Sequence, residues 1–258
     1  EIPLRLVGSE MCIRDRKKYV NLFVFVFMVG ACFSQGKAQT KSAVSYKNPV
    51  VDIAMPDPTV IKAADGYFYM YATESTRNVP IMKSKDLVQW TYCNTAFTNK
   101  TRPRFEPKAG IWAPDINYIN NKYVLYYAMS VWGGEQTCGI GVATADSPQG
   151  PFTDHGKMFR SNEIGVQNSI DPSFLQYEGR NYLVWGSFRG IYVIELTEDG
   201  LSLKPGAEKK RIAGTAFEAA YIHKHGDYYY MFASIGSCCE GIRSTYKVVV
   251  GRSKKVWG

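Results

Sequence analysis

The feature that most constrains this chain is an internal repeat. "DGYFYMYAT" at residues 65–73 returns as "NKYVLYYAMS" at 121–130, "GRNYLVWGS" at 179–187 and "GDYYYMFAS" at 226–234. Aligned on the small residue near each end (Ala72, Ala128, Gly186 and Ala233), the copies stand 56, 58 and 47 residues apart. Each copy is a polar turn followed by an aromatic, β-forming run. A shorter run precedes each one: "DPTVIK", "DINYIN", "DPSFLQ" and "EAAYIH". A third run follows: "VPIMKSKDL", "GIGVATADS", "GIYVIELTEDG" and "YKVVVGRSK". The unit is therefore a β-meander of at least three strands over about 50 residues, without helical periodicity. Sheets repeated at that period predict an all-β chain built as a β-propeller. A β-sandwich is the structural alternative, but it gives no reason for the acid that repeats with the strands.

Each of the shorter leading runs begins with that acid. Asp57, Asp171 and Glu218 lie 15 residues before the aligned small residue, and Asp115 lies 13 before it. In a propeller the first strand of each blade lines the axis, so its leading residue opens onto one end of the channel. The four acids are thus expected at matched register, converging on one pocket. Strand capping would account for one such acid better than for four. Converging carboxylates suit a cation site or carboxylate acid–base chemistry. Glycoside hydrolysis needs one carboxyl to protonate the leaving oxygen and another to activate water. A third like charge nearby raises the donor's pKa. Glu218 has the longer reach expected of the donor. Trp112, Trp132, Trp185 and Phe188 offer flat apolar faces to sugar rings, although a single Trp is as readily core. Trp112, three residues before Asp115, has the best claim to the pocket.

Taken in order, "MPDPTVI", "WAPDI", "NSIDPSF", "GSFRGI", "FEAAYI" and "GSCCEGIRSTYKVVVGRSK" resemble glycoside hydrolase family 43. They are most similar to its endo-1,5-α-L-arabinanase branch, over residues 48–254. The resemblance implies a five-bladed propeller and hydrolysis with inversion of the anomeric configuration. It makes Asp57 the general base, Glu218 the general acid and Asp171 the residue that tunes and orients the acid. Asp115 would be structural or substrate-facing, and Trp112, Asp115, Asn168, Ser187 and Phe188 would bind substrate. Inversion requires the Asp57 and Glu218 carboxyls to stand roughly 6.5–9.5 Å apart, with room for water. The implied substrate is plant cell-wall arabinan or arabino-oligosaccharides. An exo-acting α-L-arabinofuranosidase or β-xylosidase, and a non-catalytic carbohydrate-binding propeller, are the alternatives. No cofactor is required for this chemistry. Members of the family often hold a structural Ca2+ on the axis, whose ligands here are not assigned. His223 and His225 read as a solvated hairpin rather than a metal pair.

Only four repeats are present, and "KKVWG" at the end does not read as the start of a fifth. The outer faces of the first and fourth blades, including "YFYMY" and "YYYMF", are then expected to be exposed. Residues 39–258 alone are expected to be poorly soluble and inactive.

Residues 1–16 have no periodicity and resemble translated adaptor sequence. Residues 17–38 read as a secretory signal, with Lys17 and Lys18, an apolar run and then small residues. Cleavage at "VGAC" would lipidate Cys32, whereas "GKA" before Gln39 suits an ordinary signal peptidase. The protein is thus expected to be exported, as a periplasmic, secreted or outer-membrane lipoprotein. Removing residues 1–38 takes six Lys/Arg and three Asp/Glu from totals of 31 and 23, leaving a net charge of +5. With no Lys/Arg block, nucleic acid is excluded as a partner, and no protein partner is implied. Cys93, Cys138, Cys238 and Cys239 include no C-x-x-C pair, which excludes a zinc ribbon and favours buried structural roles. "GIGVAT" lacks the third glycine and βαβ setting of a dinucleotide site.

Overall fold

The computed structural model of the chain describes residues 4–6 and 45–258. Strand β1 (Leu4–Leu6) comes first. β2 (Thr59–Lys62), β3 (Phe68–Tyr71), β4 (Pro80–Ser84) and β5 (Thr91–Thr95) form one antiparallel sheet in sequence order. β6 (Gly110–Ile119), β7 (Lys122–Ser130), β8 (Gly139–Ala145) and β9 (Thr153–Arg160) form the second. β10 (Ser173–Tyr177), β11 (Arg180–Trp185), β12 (Ile191–Glu195) and β13 (Lys210–Ala213) form the third. β14 (Glu218–His225), β15 (Tyr228–Ile235) and β16 (Lys247–Ser253) form the fourth, with β1 on the outer edge of β16. These are four blades in a propeller arrangement. Among the described residues, helix is confined to one turn, α1 (Ser161–Ile164), and a 3-10 turn at Gly241–Arg243.

Each of the first three repeats thus supplies a fourth, outer strand beyond the three legible in its pattern. β1 falls within residues set aside above as adaptor-like. A sheet edge offers unpaired N–H and C=O groups to any extended segment, so its pairing with β16 needs no particular sequence. The signal reading of residues 17–38, including Cys32, lies outside the described residues.

The blades are held together by side chains that alternate between two neighbours. On β7, Tyr123, Leu125, Tyr127 and Met129 enter a core shared with Tyr69, Tyr71 and Ile81 of the first blade. Val124 and Tyr126 point the other way, to Leu183, Trp185 and Ile194 of the third. Period-2 alternation normally leaves one polar face. Here both faces are covered, so β7 is buried throughout except Lys122. A third core joins Val184, Ile191 and Val193 to Ala220, Ile222 and Met231 of the fourth blade.

The two end blades each turn one face away from these cores. On the fourth, Tyr221, Phe232 and Val248 are exposed; on the first, Val60 and Tyr92 are. The expectation that "YFYMY" would be exposed is overturned. Tyr69 and Tyr71 point into the core shared with the second blade. Met70, on the opposite face, is covered and shares a pocket with Val50, Val51, Ile53 and Met55.

Turn chemistry follows the sequence closely at the first hairpin. Gly66 adopts φ +83°, and Asp65 accepts the Tyr67 N–H at 3.0 Å and the Tyr69 hydroxyl at 2.7 Å. Gly186, at the end of β11, answers a tighter demand. Its φ is +129°, and a Cβ there would lie 2.2 Å from the Gly190 carbonyl oxygen. Gly186→Ala is therefore expected to cost about 3 kcal/mol or more of stability. Urea unfolding of the variant checks this; a loss under about 1 kcal/mol would contradict it.

Candidate active site

A recurring irregularity at the start of each innermost strand builds the site. In the second blade Trp112 pairs with Ala128 and Asp115 with Tyr126, so the strand carries one residue more than its partner. The fourth blade repeats this, with Glu218 opposite Ser234 and Tyr221 opposite Phe232. In the first blade the Thr73 N–H bonds to the Pro56 carbonyl at 2.9 Å, and Thr59 pairs with Tyr71. In the third the Gly186 N–H bonds to the Ile170 carbonyl at 3.0 Å, and Ser173 pairs with Val184. Each blade thus opens on the same β-bulge. Its second residue is left-handed in all four: Asp57 (φ +50°), Ala113 (+39°), Asp171 (+58°) and Ala219 (+52°). Proline follows in three of them, tolerated because a bulge leaves that position without a ladder partner.

This geometry corrects the expectation of four acids at matched register. Only Asp57 and Asp171 occupy the left-handed position. Glu218 stands one residue earlier, at the place of Pro56, Trp112 and Ile170. Asp115 stands two residues later, at the place of Thr59, Ser173 and Tyr221.

Three of the four acids still face one another. Asp57 is exposed, and its Oδ2 accepts the Thr73 hydroxyl at 2.5 Å. Thr73 Oγ1 in turn accepts the Ala113 N–H at 2.7 Å, tying the first blade to the second. Asp171 stands beside the Ala219 N–H of the fourth blade. Burial, followed by the Glu218 and Asp57 carboxylates, pushes Asp171 well above the carboxylate range. Glu218 is 9% exposed, and its Oε2 accepts the Ser187 hydroxyl at 2.6 Å. The Tyr246 phenol faces Glu218 and Ser234; burial and then the Glu218 carboxylate push its pKa up. Cys238, on the same loop, is pushed up to about 12 by burial and Cys239, with smaller contributions from Glu218 and Asp57.

Asp115 does not join them. Its Oδ2 accepts the Phe174 N–H at 2.7 Å and the Asn117 amide at 2.8 Å, and its Oδ1 accepts Thr59 Oγ1 at 3.4 Å. It is 9% exposed and bonds residues of three consecutive blades. These bonds to Thr59, Asn117 and Phe174 support the structural reading of Asp115.

The remaining expected residues divide. Trp112, half-buried at the first bulge position, tilts against the exposed Trp132 with ring centroids 5.6 Å apart. Phe188 is half-buried and left-handed, its N–H bonded to the Phe217 carbonyl at 2.9 Å. Trp112 thus lies at the start of β6, and Phe188 on the loop that follows β11. Ser187 is 2% exposed and Asn168 bonds to it, so their contact is with Glu218. Trp185 is fully buried core. Cys138 is buried as expected, but Cys93 and Cys238 are half-buried and Cys239 is exposed. Thr73 and Tyr246 were missed. Thr73 follows the aligned alanine of the first repeat, and Tyr246 sits inside the "STYKVVV" run, so only the fold separates them from ordinary strand residues. Among the described residues no three His, Cys, Asp or Glu side chains gather where a cation could sit.

A family model described as "Glycosyl hydrolases family 43" matches residues 46–258. The chain is 37% identical over 216 residues to an extracellular endo-α-(1→5)-L-arabinanase 1 of Bacillus subtilis (strain 168), covering 78% of this chain and 66% of that one. It is 33% identical to an extracellular exo-α-(1→5)-L-arabinofuranosidase of Cellvibrio japonicus (strain Ueda107), covering 78% and 65%. It therefore spans about two thirds of the length of these relatives. Among solved structures, a Cellvibrio cellulosa α-L-arabinanase superposes with a TM-score of 0.71 at 31% identity, covering 80% of this chain and 72% of that one. The same enzyme complexed with arabinohexaose superposes equally well.

The buried Asp115 generates a pH-dependent expectation. Burial outweighs its three donors and raises its pKa from 3.8 to about 6. The folded chain then binds more protons than the unfolded one between those values, so stability falls as pH rises from about 4 to about 6. At about 1.4 kcal/mol per pH unit the fall amounts to ~3 kcal/mol. Asp115→Asn, whose amide can still accept the Phe174 N–H, is expected to remove most of that slope. Unfolding of both proteins across pH 4–7 checks this; parallel curves would contradict it.

Proposed function

The chain belongs to glycosyl hydrolases family 43, and on that premise we propose that it hydrolyses α-1,5-linked L-arabinan within the chain, with inversion. The observation that carries this reading is the convergence of Asp57, Asp171 and Glu218 from three inner strands in unequal surroundings. Asp57 is open to solvent, where a general base meets water. Glu218 is buried, where a proton donor is shielded from bulk water and held to one geometry. Asp171, whose carboxyl burial and then its two acidic neighbours hold well above the carboxylate range, stands beside the acid and the Ala219 N–H.

In the reaction, Asp57 takes a proton from water as the oxygen attacks the anomeric carbon. Glu218 gives a proton to the departing glycosidic oxygen. Trp112 and Trp132 present apolar ring faces to the pentose. These residues supply the chemistry without a cofactor. Export is part of the reading: residues 17–38 have signal character, and the Bacillus and Cellvibrio relatives are named extracellular. The substrate would be met as arabinan or arabino-oligosaccharides outside the cell.

Incubation with debranched arabinan tests this reading. Early release of mixed-length oligosaccharides supports internal cleavage, whereas arabinose or a single short product from the outset supports the exo alternative. Proton NMR of the first product should show the β-anomer. Asp57→Asn is expected to lower kcat about 10²- to 10⁴-fold with an unchanged fold, since the Thr73 hydroxyl can still donate to the new side-chain oxygen. Turnover within threefold of the parent protein would remove Asp57 from the role of base.

A further inference from the structure

Glu218 is held by a chain of hydrogen bonds whose direction can be read from the atoms. The Asn168 side-chain amide reaches the Ser187 backbone carbonyl at 3.1 Å and Ser187 Oγ at 2.9 Å. A carbonyl oxygen can only accept, so the atom facing it is the amide nitrogen, and this settles which way Asn168 points. That nitrogen has only hydrogens to offer, so Ser187 Oγ is an acceptor there. The single hydroxyl hydrogen of Ser187 is left for Glu218 Oε2, 2.6 Å away.

The supports of this chain are also in place. Asn168 is left-handed (φ +53°), its N–H is bonded to the Glu135 carbonyl at 2.8 Å, and Glu135 is clamped by Arg189. A β-bridge joins Ser187 to Glu218 directly. The groups around Glu218 are Ser187, itself bonded to Asn168, the Tyr246 phenol, Ser234 opposite Glu218 on β15, the acids Asp171 and Asp57, and the Cys238 thiol.

We propose that Asn168 and Ser187 are positioning residues that commit Glu218 Oε2 to accepting a hydrogen bond, so that Oε1 is the oxygen that carries and delivers the proton. With its hydrogen spent on Oε2, Ser187 cannot also accept a proton placed there unless its own hydrogen finds another acceptor. A proton on Oε1 leaves the chain intact. When Oε1 gives its proton to the glycosidic oxygen, the negative charge left on the carboxylate is met at once by the Ser187 hydroxyl. No further reactant is needed: one O–H bond breaks at Oε1 and one forms on the departing sugar. The proposal rests on the reading of Glu218 as the general acid.

Its signature is a dependence on the leaving group. In the full chain, Ser187→Ala is expected to lower kcat on arabino-oligosaccharides about 10- to 100-fold with KM within twofold. On nitrophenyl arabino-oligosaccharides, whose aglycone departs without protonation, the loss should be under threefold. Ser187→Thr, which keeps the hydroxyl, should restore most of the rate. Asn168→Asp, which offers acceptors in place of the donor and draws the Ser187 hydrogen away, should reproduce the Ser187→Ala pattern. A raised KM with kcat preserved on both substrates would mean that these residues bind sugar instead, and would overturn the proposal. A second measurement needs no activity. The thermal shifts of Ser187→Ala and Glu218→Ala should be non-additive by about 2–4 °C, and simple additivity would overturn the relay. Inactivity on both substrates of the chain completed by a fifth blade would refute the hydrolase reading, and the thermal comparison would still decide whether the relay exists.

Discussion

The structure depends on one backbone device, the bulge that opens each innermost strand. Adding one residue against the partner strand forces the second bulge residue into the left-handed region. For Ala113 and Ala219 that costs roughly 1–2 kcal/mol each, and aspartate tolerates it better because its short side chain can bond locally. The device turns the chain at the channel mouth and gives each blade a backbone N–H or side chain directed at its neighbour. Ala113 donates to Thr73, which holds Asp57, and the Ala219 N–H stands beside Asp171. The groups that tie blade to blade are therefore the groups that hold the acids.

Around this ring of bulges the blades contribute burial on two faces at once. β7 illustrates the extreme, since alternate residues serve two different cores and none beyond Lys122 is left for solvent. Asp115 shows what happens when a charged group is enlisted in that packing. It reaches Thr59 and Phe174 on flanking blades. A carboxyl used as mortar and a carboxyl used as reagent differ by two residues of register.

Much of this was legible before the fold was known. The aromatic strands were, because their alternation is strong and repeats four times. The acids were, because they recur near the start of each repeat. Their register was not, because a bulge has no compositional mark where proline is absent. In the fourth blade "EAAYI" carries the bulge on two alanines, and counting back from the aligned small residue lands one position early. The outer strands were also hidden. "TYCNT" and "KRIA" face solvent with little alternation to betray them. Ser187 and Asn168 were selected by resemblance as sugar ligands, but only side-chain geometry shows that they meet the acid. The covering of "YFYMY" depends on residues 50–55, a segment with no strand pattern of its own.

The four left-handed positions also amount to a set of interchangeable addresses. Going round the ring they read Asp57, Ala113, Asp171, Ala219, so charged and methyl-bearing blades alternate. Neighbouring blades never place like charges at the same address, and the third carboxyl, Glu218, enters from the adjoining slot instead. The scaffold thus separates where a side chain can be presented from which side chain is presented. A ring of near-identical parts acquires a polar, one-directional reaction centre by varying the occupant of a fixed socket, while the backbone that forms each socket stays the same.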